Sequence, residues 1–284
     1  MRYCGRDFDE RALARIRALA AEPGTTRQAI SQRLCEELDW RKPDGGLKQM
    51  SCRVALLRMQ TDGLVQLPAP RHRSGNSART RARSAATEPQ PPLQRAVAEL
   101  RGLRLECVAT RHDSGLWNEY IDRYHYLGYK PLPGAQLRYL ARAEEGVLAL
   151  LGFSAAAWKT APRDQFIGWS AQQREARLHL VVNNARFLIL PWVRSPNLAS
   201  KLLGLAARQL PGDWLTRYNY RPVLLETFVD KARFPGTCYR AANWRCLGET
   251  RGRGKLDFAH ACAVPVKSVW VLPLTQRFRQ HLAG

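Results

Sequence analysis

Through the first sixty residues apolar side chains recur at helical spacing. Phe8, Ala12, Leu13, Ile16 and Leu19 predict a helix over 8–19, which Pro23-Gly24 ends. Thr26 is placed to cap a second helix over 27–38, with Ile30, Leu34 and Leu38 along one stripe. Lys42-Pro43-Asp44-Gly45-Gly46 supplies turn chemistry. A third helix over 47–61 is then expected to turn Met50, Val54, Leu57 and Met59 inward and Lys48, Arg53 and Arg58 outward. After Asp62-Gly63, the stretch Leu64 to Pro68 reads as a short strand. Three helices and a strand, the third helix basic, is the order of a winged helix-turn-helix over 1–70. That fold sets its third helix in the major groove of DNA and lays its wing on phosphate; a three-helix bundle used for protein contacts shares the order.

From Leu93 the pattern becomes short apolar strands separated by helices, and the fold class is α+β. Strands are expected over 105–109, 136–143, 147–154, 187–191, 223–230 and 246–250. Helices are expected over 117–126, 197–209 and 236–243, while 177–183 is ambiguous. Glu144-Glu145-Gly146 marks a hairpin. Between the two patterned regions, residues 71–92 carry Arg71, Arg73, Arg79, Arg81 and Arg83 among small and polar residues. They have almost no large side chain to bury, so a flexible basic linker is expected.

Charge changes the picture more than composition does. The 284 residues hold 45 Lys and Arg against 24 Asp and Glu, a formal net charge of +21. Residues 1–92 contribute +7 and the remainder +14, so both parts can meet phosphate. A polyanion is the expected partner, double-stranded DNA first, with a basic surface kept for solubility as the plainer explanation. No apolar run reaches the ~20 residues that cross a bilayer, no signal peptide is read at the N-terminus, and the cytoplasm is the expected compartment. Seven cysteines without a C-x-x-C pair predict neither a disulfide framework nor a zinc site, and most of them are read as small buried apolar residues. Walker, G-x-G-x-x-G and G-x-S-x-G motifs are absent from the sequence.

The β-α-β-α-β order of the last third resembles the GNAT acetyltransferase fold. There a splayed strand leads into a loop whose amides cradle a pyrophosphate at a helix N-terminus. Arg194-Ser195-Pro196-Asn197-Leu198-Ala199 fits that loop at Arg194 and Ala199, but Asn197 stands where glycine is wanted and Pro196 removes a donor. Tyr239 and Trp244 have the spacing of the family's tyrosine and following aromatic. Six ordered strings also resemble the Druantia anti-phage protein A family: His125-Tyr126-Leu127-Gly128, Arg163-Asp164-x-x-Ile167-Gly168-Trp169, Asn184-x-Arg186-Phe187-Leu188, Asn197-Leu198-Ala199-Ser200, Glu226-Thr227-Phe228-Val229-Asp230, and 236–244. The run from Ser51 to Pro68 fits the same family. This resemblance implies a phage-defence or transposon-associated setting, with a helicase or transposase of the same locus as a partner.

Two chemistries are open. Asp164, in an expected loop, could join Glu226 and Asp230, four residues apart on one strand face, to hold Mg²⁺ for phosphodiester attack; each carboxylate could equally be paired with an arginine. Under the acyl-CoA resemblance Tyr239 would be the general acid and Glu226 or His125 the base, with Arg194 and the amides of 197–200 on the pyrophosphate. A packed tyrosine and a buried histidine are the plainer alternatives. Outside these two readings no cofactor or metal is expected. For nucleic acid, Arg217-Tyr218-Asn219-Tyr220-Arg221 interleaves cations with aromatics that could stack on bases. Arg251-Gly252-Arg253-Gly254-Lys255 is a glycine-spaced basic loop that could approach phosphate closely. Lys48, Arg53, Arg58, Arg71, Arg73 and Arg194 complete the expected contact set.

Overall fold

Asp9 starts the first helix: its carboxylate accepts the Ala12 N–H at 2.8 Å, and α1 (Glu10–Ala21) buries Leu13, Ile16 and Leu19. The computed structural model describes residues 1–71, 83–252 and 264–284, and the chain divides into the units Met1–Thr80 and Arg81–Gly284. In the first unit β1 (Arg2–Tyr3) and β2 (Arg6–Asp7) form a small hairpin ahead of α1. Thr26 caps α2 (Arg27–Glu37) as expected, its hydroxyl accepting the Ala29 N–H.

In α3 (Gln49–Thr61) the expected inward face is rotated. Cys52, Ala55, Leu56 and Met59 are buried, whereas Met50 is 66% exposed and Val54 and Leu57 also face outward. Apolar residues surround this helix, so periodicity alone does not choose a face. The small Cys52 and Ala55 sit in the same core as Cys35 and Trp40, where slender side chains suit close helix packing.

The expected strand at 64–68 is not formed, and the segment pairs with no other strand. Its backbone groups bond instead to side chains: Leu67 N–H donates to Gln60 Oε1, while Arg17 and Arg27 donate to the Leu64 and Pro68 carbonyls. The α2–α3 connection is also far longer than the 3–4-residue turn of a helix-turn-helix. Among the described residues, neither a wing nor that tight turn is present.

The second unit begins with a strap, which corrects the expected linker over 84–88. Tyr120 and Tyr124 donate to the carbonyls of Ala86 and Thr87, and Thr87 Oγ1, fully buried, donates to Glu119 and accepts from Arg123. These partners lie on α4 (Arg111–Tyr124), a helix that starts earlier than expected because Thr110 caps it. Residues 72–82, with Arg73, Arg79 and Arg81, lie outside the described residues.

After β3 (Leu93–Gln94), the main sheet is built from β4 (Arg104–Cys107), β5 (Leu137–Ala143), β6 (Gly146–Ala155) and β7 (Val181–Ile189). β8 (Val193–Arg194) pairs with β3. β9 (Leu224–Asp230), β10 (Arg245–Glu249) and β11 (Lys267–Pro273) complete the seven-stranded sheet, whose order is β10-β11-β9-β7-β6-β5-β4. Every pair in it is antiparallel except β7–β9, which is held through three positions only and ends at Asn183 opposite Glu226. This is the α+β class the sequence predicts.

α5 (Ala161–Ile167) and α9 (Phe278–Ala283) close a smaller core with Val181 and Val271, and α6 (Ala171–Arg177), with no buried residue, packs beside α9; none of the three is legible in the apolar pattern. α7 (Leu198–Tyr218) runs past Pro211, where the expected helix stopped. Its buried stripe of Leu202, Leu203, Ala206, Leu210 and Trp214 continues across the proline, so packing overrides the lost hydrogen bond. α8 (Thr237–Ala241) follows β9. No described helix is long and apolar enough to cross a membrane. The described cysteines are free; Cys35 and Cys52 are buried as expected, but Cys246 is exposed.

Candidate functional site

Glu226 lies on β9 with no solvent exposure, and Arg163, equally buried, reaches it from α5. Arg163 Nη1 donates to Glu226 Oε2 at 2.8 Å and to the Ala157 carbonyl at 2.7 Å; Nε and Nη2 donate to Asp164 Oδ1 at 2.9 and 2.7 Å. Backbone and indole donors complete the cluster. Ala157 N–H donates to Glu226 Oε1, Trp169 Nε1 to Asp164 Oδ1, and Thr160 N–H to Asp164 Oδ2. Burial pushes the Glu226 carboxyl above its ordinary range, with Arg163 opposing the shift.

The sequence candidates Asp164 and Glu226 are therefore brought together, with Asp164 in the first turn of α5 rather than in a loop. A guanidinium occupies the space between them. Asp230 is elsewhere on β9, accepting the Ala232 N–H. Among the described residues no three His, Cys, Asp or Glu side chains are grouped to hold a metal ion.

Beyond Asn183 and Glu226 the parallel strands part, and a cavity of about 460 Å³ opens between them. Asn184, 4% exposed, fixes its inner wall: Nδ2 donates to the Arg186 carbonyl, and Oδ1 accepts the Tyr239 hydroxyl at 2.8 Å. Tyr239 is held by α8, whose preceding Gly236 has φ 74°; a Cβ there would lie 2.7 Å from the Trp270 ring. Burial raises the Tyr239 hydroxyl pKa above its ordinary value.

His125, just past α4, lines the same cavity. Its Nδ1 accepts the Leu127 N–H at 3.2 Å, leaving the proton of the neutral ring on Nε2. Burial, with the Arg186 charge adding to it, lowers its pKa to about 4, so the ring is uncharged near neutral pH. At the mouth, the Tyr126 ring stacks on His125 at 4.9 Å and meets Phe234 at 5.7 Å. Arg186 Nη1 donates to the Ala185 carbonyl, but its buried Nε has no acceptor, and burial lowers the guanidinium pKa. Asn183 Oδ1 is likewise buried without a donor.

The expected nucleic-acid contacts separate into four groups. Arg58, Arg71, Arg194, Arg217, Arg221 and Arg251 are exposed, whereas Lys48 and Arg53 are half-buried. Tyr218 and Tyr220 do not splay outward. The Tyr218 hydroxyl accepts from and donates to the Gln136 backbone, and both rings pack on Trp214, at 5.0 and 6.3 Å. Arg73, Arg253 and Lys255 lie outside the described residues.

Sequence reasoning did not single out Asn183, Arg186, Tyr126 and Phe234 as site residues, although Arg186 and Tyr126 fall inside strings that carry the family resemblance. It also passed over Lys201 and Arg208, exposed on α7.

No curated protein matches the chain. Among solved structures, a Bacillus subtilis acetyltransferase in complex with CoA is 12% identical, covering 61% of this chain and 99% of its own, with a TM-score of 0.35. The aminoglycoside acetyltransferase AAC(6')-Ib with coenzyme A and kanamycin is 15% identical over 63% of this chain and 98% of its own, at 0.40. An N-acetyltransferase from Staphylococcus aureus Mu50 is 13% identical over 61% and 99%, at 0.37. The family model described as Druantia protein DruA matches residues 58–269, well over half of the chain, and the chain belongs to that family.

Proposed function

We propose that this member of an anti-phage family is a nucleic-acid-binding protein that grips duplex DNA through its cationic surface. The observation that carries the reading is the formal charge of +21. Its described share includes exposed cations outside any ion pair, such as Lys201 and Arg208, seven residues apart on one face of α7. A surface of this kind attracts phosphate and releases condensed counterions on binding. Arg194, Arg221 and Arg251 supply further exposed cations on the same unit. With no wing among the described residues and with Tyr218 and Tyr220 packed inward, the grip falls to backbone contacts, which position a duplex without reading its sequence.

The test is fluorescence anisotropy of labelled duplex and single-stranded DNA with the full chain over a salt series. Duplex affinity should fall with log K dropping about 0.9 per phosphate neutralised, and Lys201→Glu with Arg208→Glu should flatten that slope by about two contacts. No binding at low salt would sink the reading.

A second reading, acyl transfer, is favoured by one observation: His125, Tyr239 and Ala199 at the start of α7 line a single cavity. The loop before α7 fits acyl-CoA poorly, because Pro196 has no N–H and the Leu198 N–H already donates to the Ser195 carbonyl. A rise in melting temperature with acetyl-CoA would revive this reading; no shift at millimolar acetyl-CoA would remove it.

A further inference from the structure

Arg186 presents an unusual electrostatic situation. It is a cation half-removed from water, its Nε is buried without an acceptor, and no carboxylate pairs with it among the described residues. The one carboxylate in the cavity wall, Asp230, accepts the Ala232 N–H and lies 3.9 Å from Arg233, not at Arg186. His125 beside it is neutral, and Lys267 adds a second cation to the wall. A desolvated, uncompensated guanidinium is costly unless an anion completes it.

Two further features narrow the ligand. Phe234 leaves 48% of its surface exposed at the mouth, where its ring meets Tyr126 at 5.7 Å, a platform for a flat ring. Arg233 lies over the Tyr126 ring at 5.0 Å and adds positive charge to the rim. The volume of about 460 Å³ falls within the ~300–1,000 Å³ of small-ligand sites.

We propose that this cavity binds one nucleotide unit, its phosphate on Arg186 and its base against Phe234 at the mouth. The nucleotide is either free or the terminal unit of a strand. The chemistry follows from the cavity alone, and only the strand-end source rests on the nucleic-acid reading.

The experiment is calorimetric titration of the full chain with each of the four deoxynucleoside 5′-monophosphates, alongside inorganic phosphate and coenzyme A. In parallel, 5′-phosphorylated and 5′-hydroxyl oligonucleotides carrying a terminal 2-aminopurine report stacking by fluorescence quenching. At least one monophosphate, or the phosphorylated end, should bind saturably, with phosphate alone weaker. Arg186→Gln should weaken that binding roughly tenfold or more, since a charge-assisted bond is lost. Its unliganded melting temperature should equal or exceed that of the parent, because an uncompensated charge is removed. Phe234→Ala, at an exposed position that folding tolerates, should also weaken binding.

Saturation by mononucleotides alone identifies a free nucleotide, and quenching of the phosphorylated end alone identifies a strand terminus. Binding of coenzyme A with neither of these, no binding at all, or full affinity in Arg186→Gln would each overturn the site. Loss of duplex binding with mononucleotide binding kept would sink the nucleic-acid reading and leave the site standing.

Discussion

Two arginines sit on either side of the point where β7 and β9 separate, and their surroundings are opposite. Arg163 is buried where the strands are still paired, and two carboxylates and a carbonyl accept its protons. Arg186 lies where the strands have parted, half-buried, with one carbonyl acceptor and an orphaned Nε. The first arrangement closes on itself and leaves nothing for a ligand to complete. The second is incomplete without one. Burial of charge therefore points to function only when the compensation is missing, and the cluster with the most conspicuous acidic residues is the structural one.

The sharpest way to break this contrast is Arg163→Met. It strands Glu226 and part of Asp164 without a cation and should cost the larger unit about 3–5 kcal/mol, read from the shift of its urea midpoint. Tyr239→Phe comes next: it removes the hydroxyl that Asn184 Oδ1 accepts, for an expected loss of about 1–3 kcal/mol in the same measurement.

His125 gives a pH test. The folded ring takes a proton only near pH 4, against an ordinary value of 6.5, so between those values the unfolded chain binds more protons. Stability should fall as pH is lowered through that window, by about 1–2 kcal/mol after allowing for partial exposure. His125→Gln should flatten this part of the profile. The smallest effect is Arg186→Gln, which should gain up to about 1 kcal/mol or change nothing, whereas a loss would make its cation structural.

Local chemistry was legible where one side chain decides the outcome. Asp9 and Thr26 each cap a helix, and Thr26 together with the hairpin at Glu144-Glu145-Gly146 stands where the sequence placed it. What failed was decided at a distance. The inward face of α3 depends on Cys52 meeting the Cys35 and Trp40 core, which periodicity cannot show in a helix that also carries Met50, Val54 and Leu57 on its opposite side. Pro211 looked like a helix end because the buried stripe that carries α7 past it is set by the sheet beneath. Tyr218 and Tyr220 looked like a stacking platform between arginines, yet Trp214, four and six residues earlier, draws both inward.

For the site, the sequence offered Tyr239 and His125, and both line one cavity. It also offered Asp164 and Glu226, but the arginine between them is a neighbour in sequence of only one. Arg186 carries no sequence signal of its own burial, because the expected strand begins at Phe187 and a charge just ahead of it reads as an ordinary exposed one.

The most direct measurement is urea unfolding of the full chain as Arg163→Gln and Arg186→Gln side by side, following the transition of the larger unit with and without a saturating deoxynucleoside monophosphate. The contrast predicts that Arg163→Gln shifts the midpoint strongly downward whether or not nucleotide is present. Arg186→Gln should hold or raise the unliganded midpoint and lose the stabilisation by nucleotide that the parent shows. A destabilised Arg186→Gln that keeps the nucleotide effect, beside an unperturbed Arg163→Gln, would contradict it.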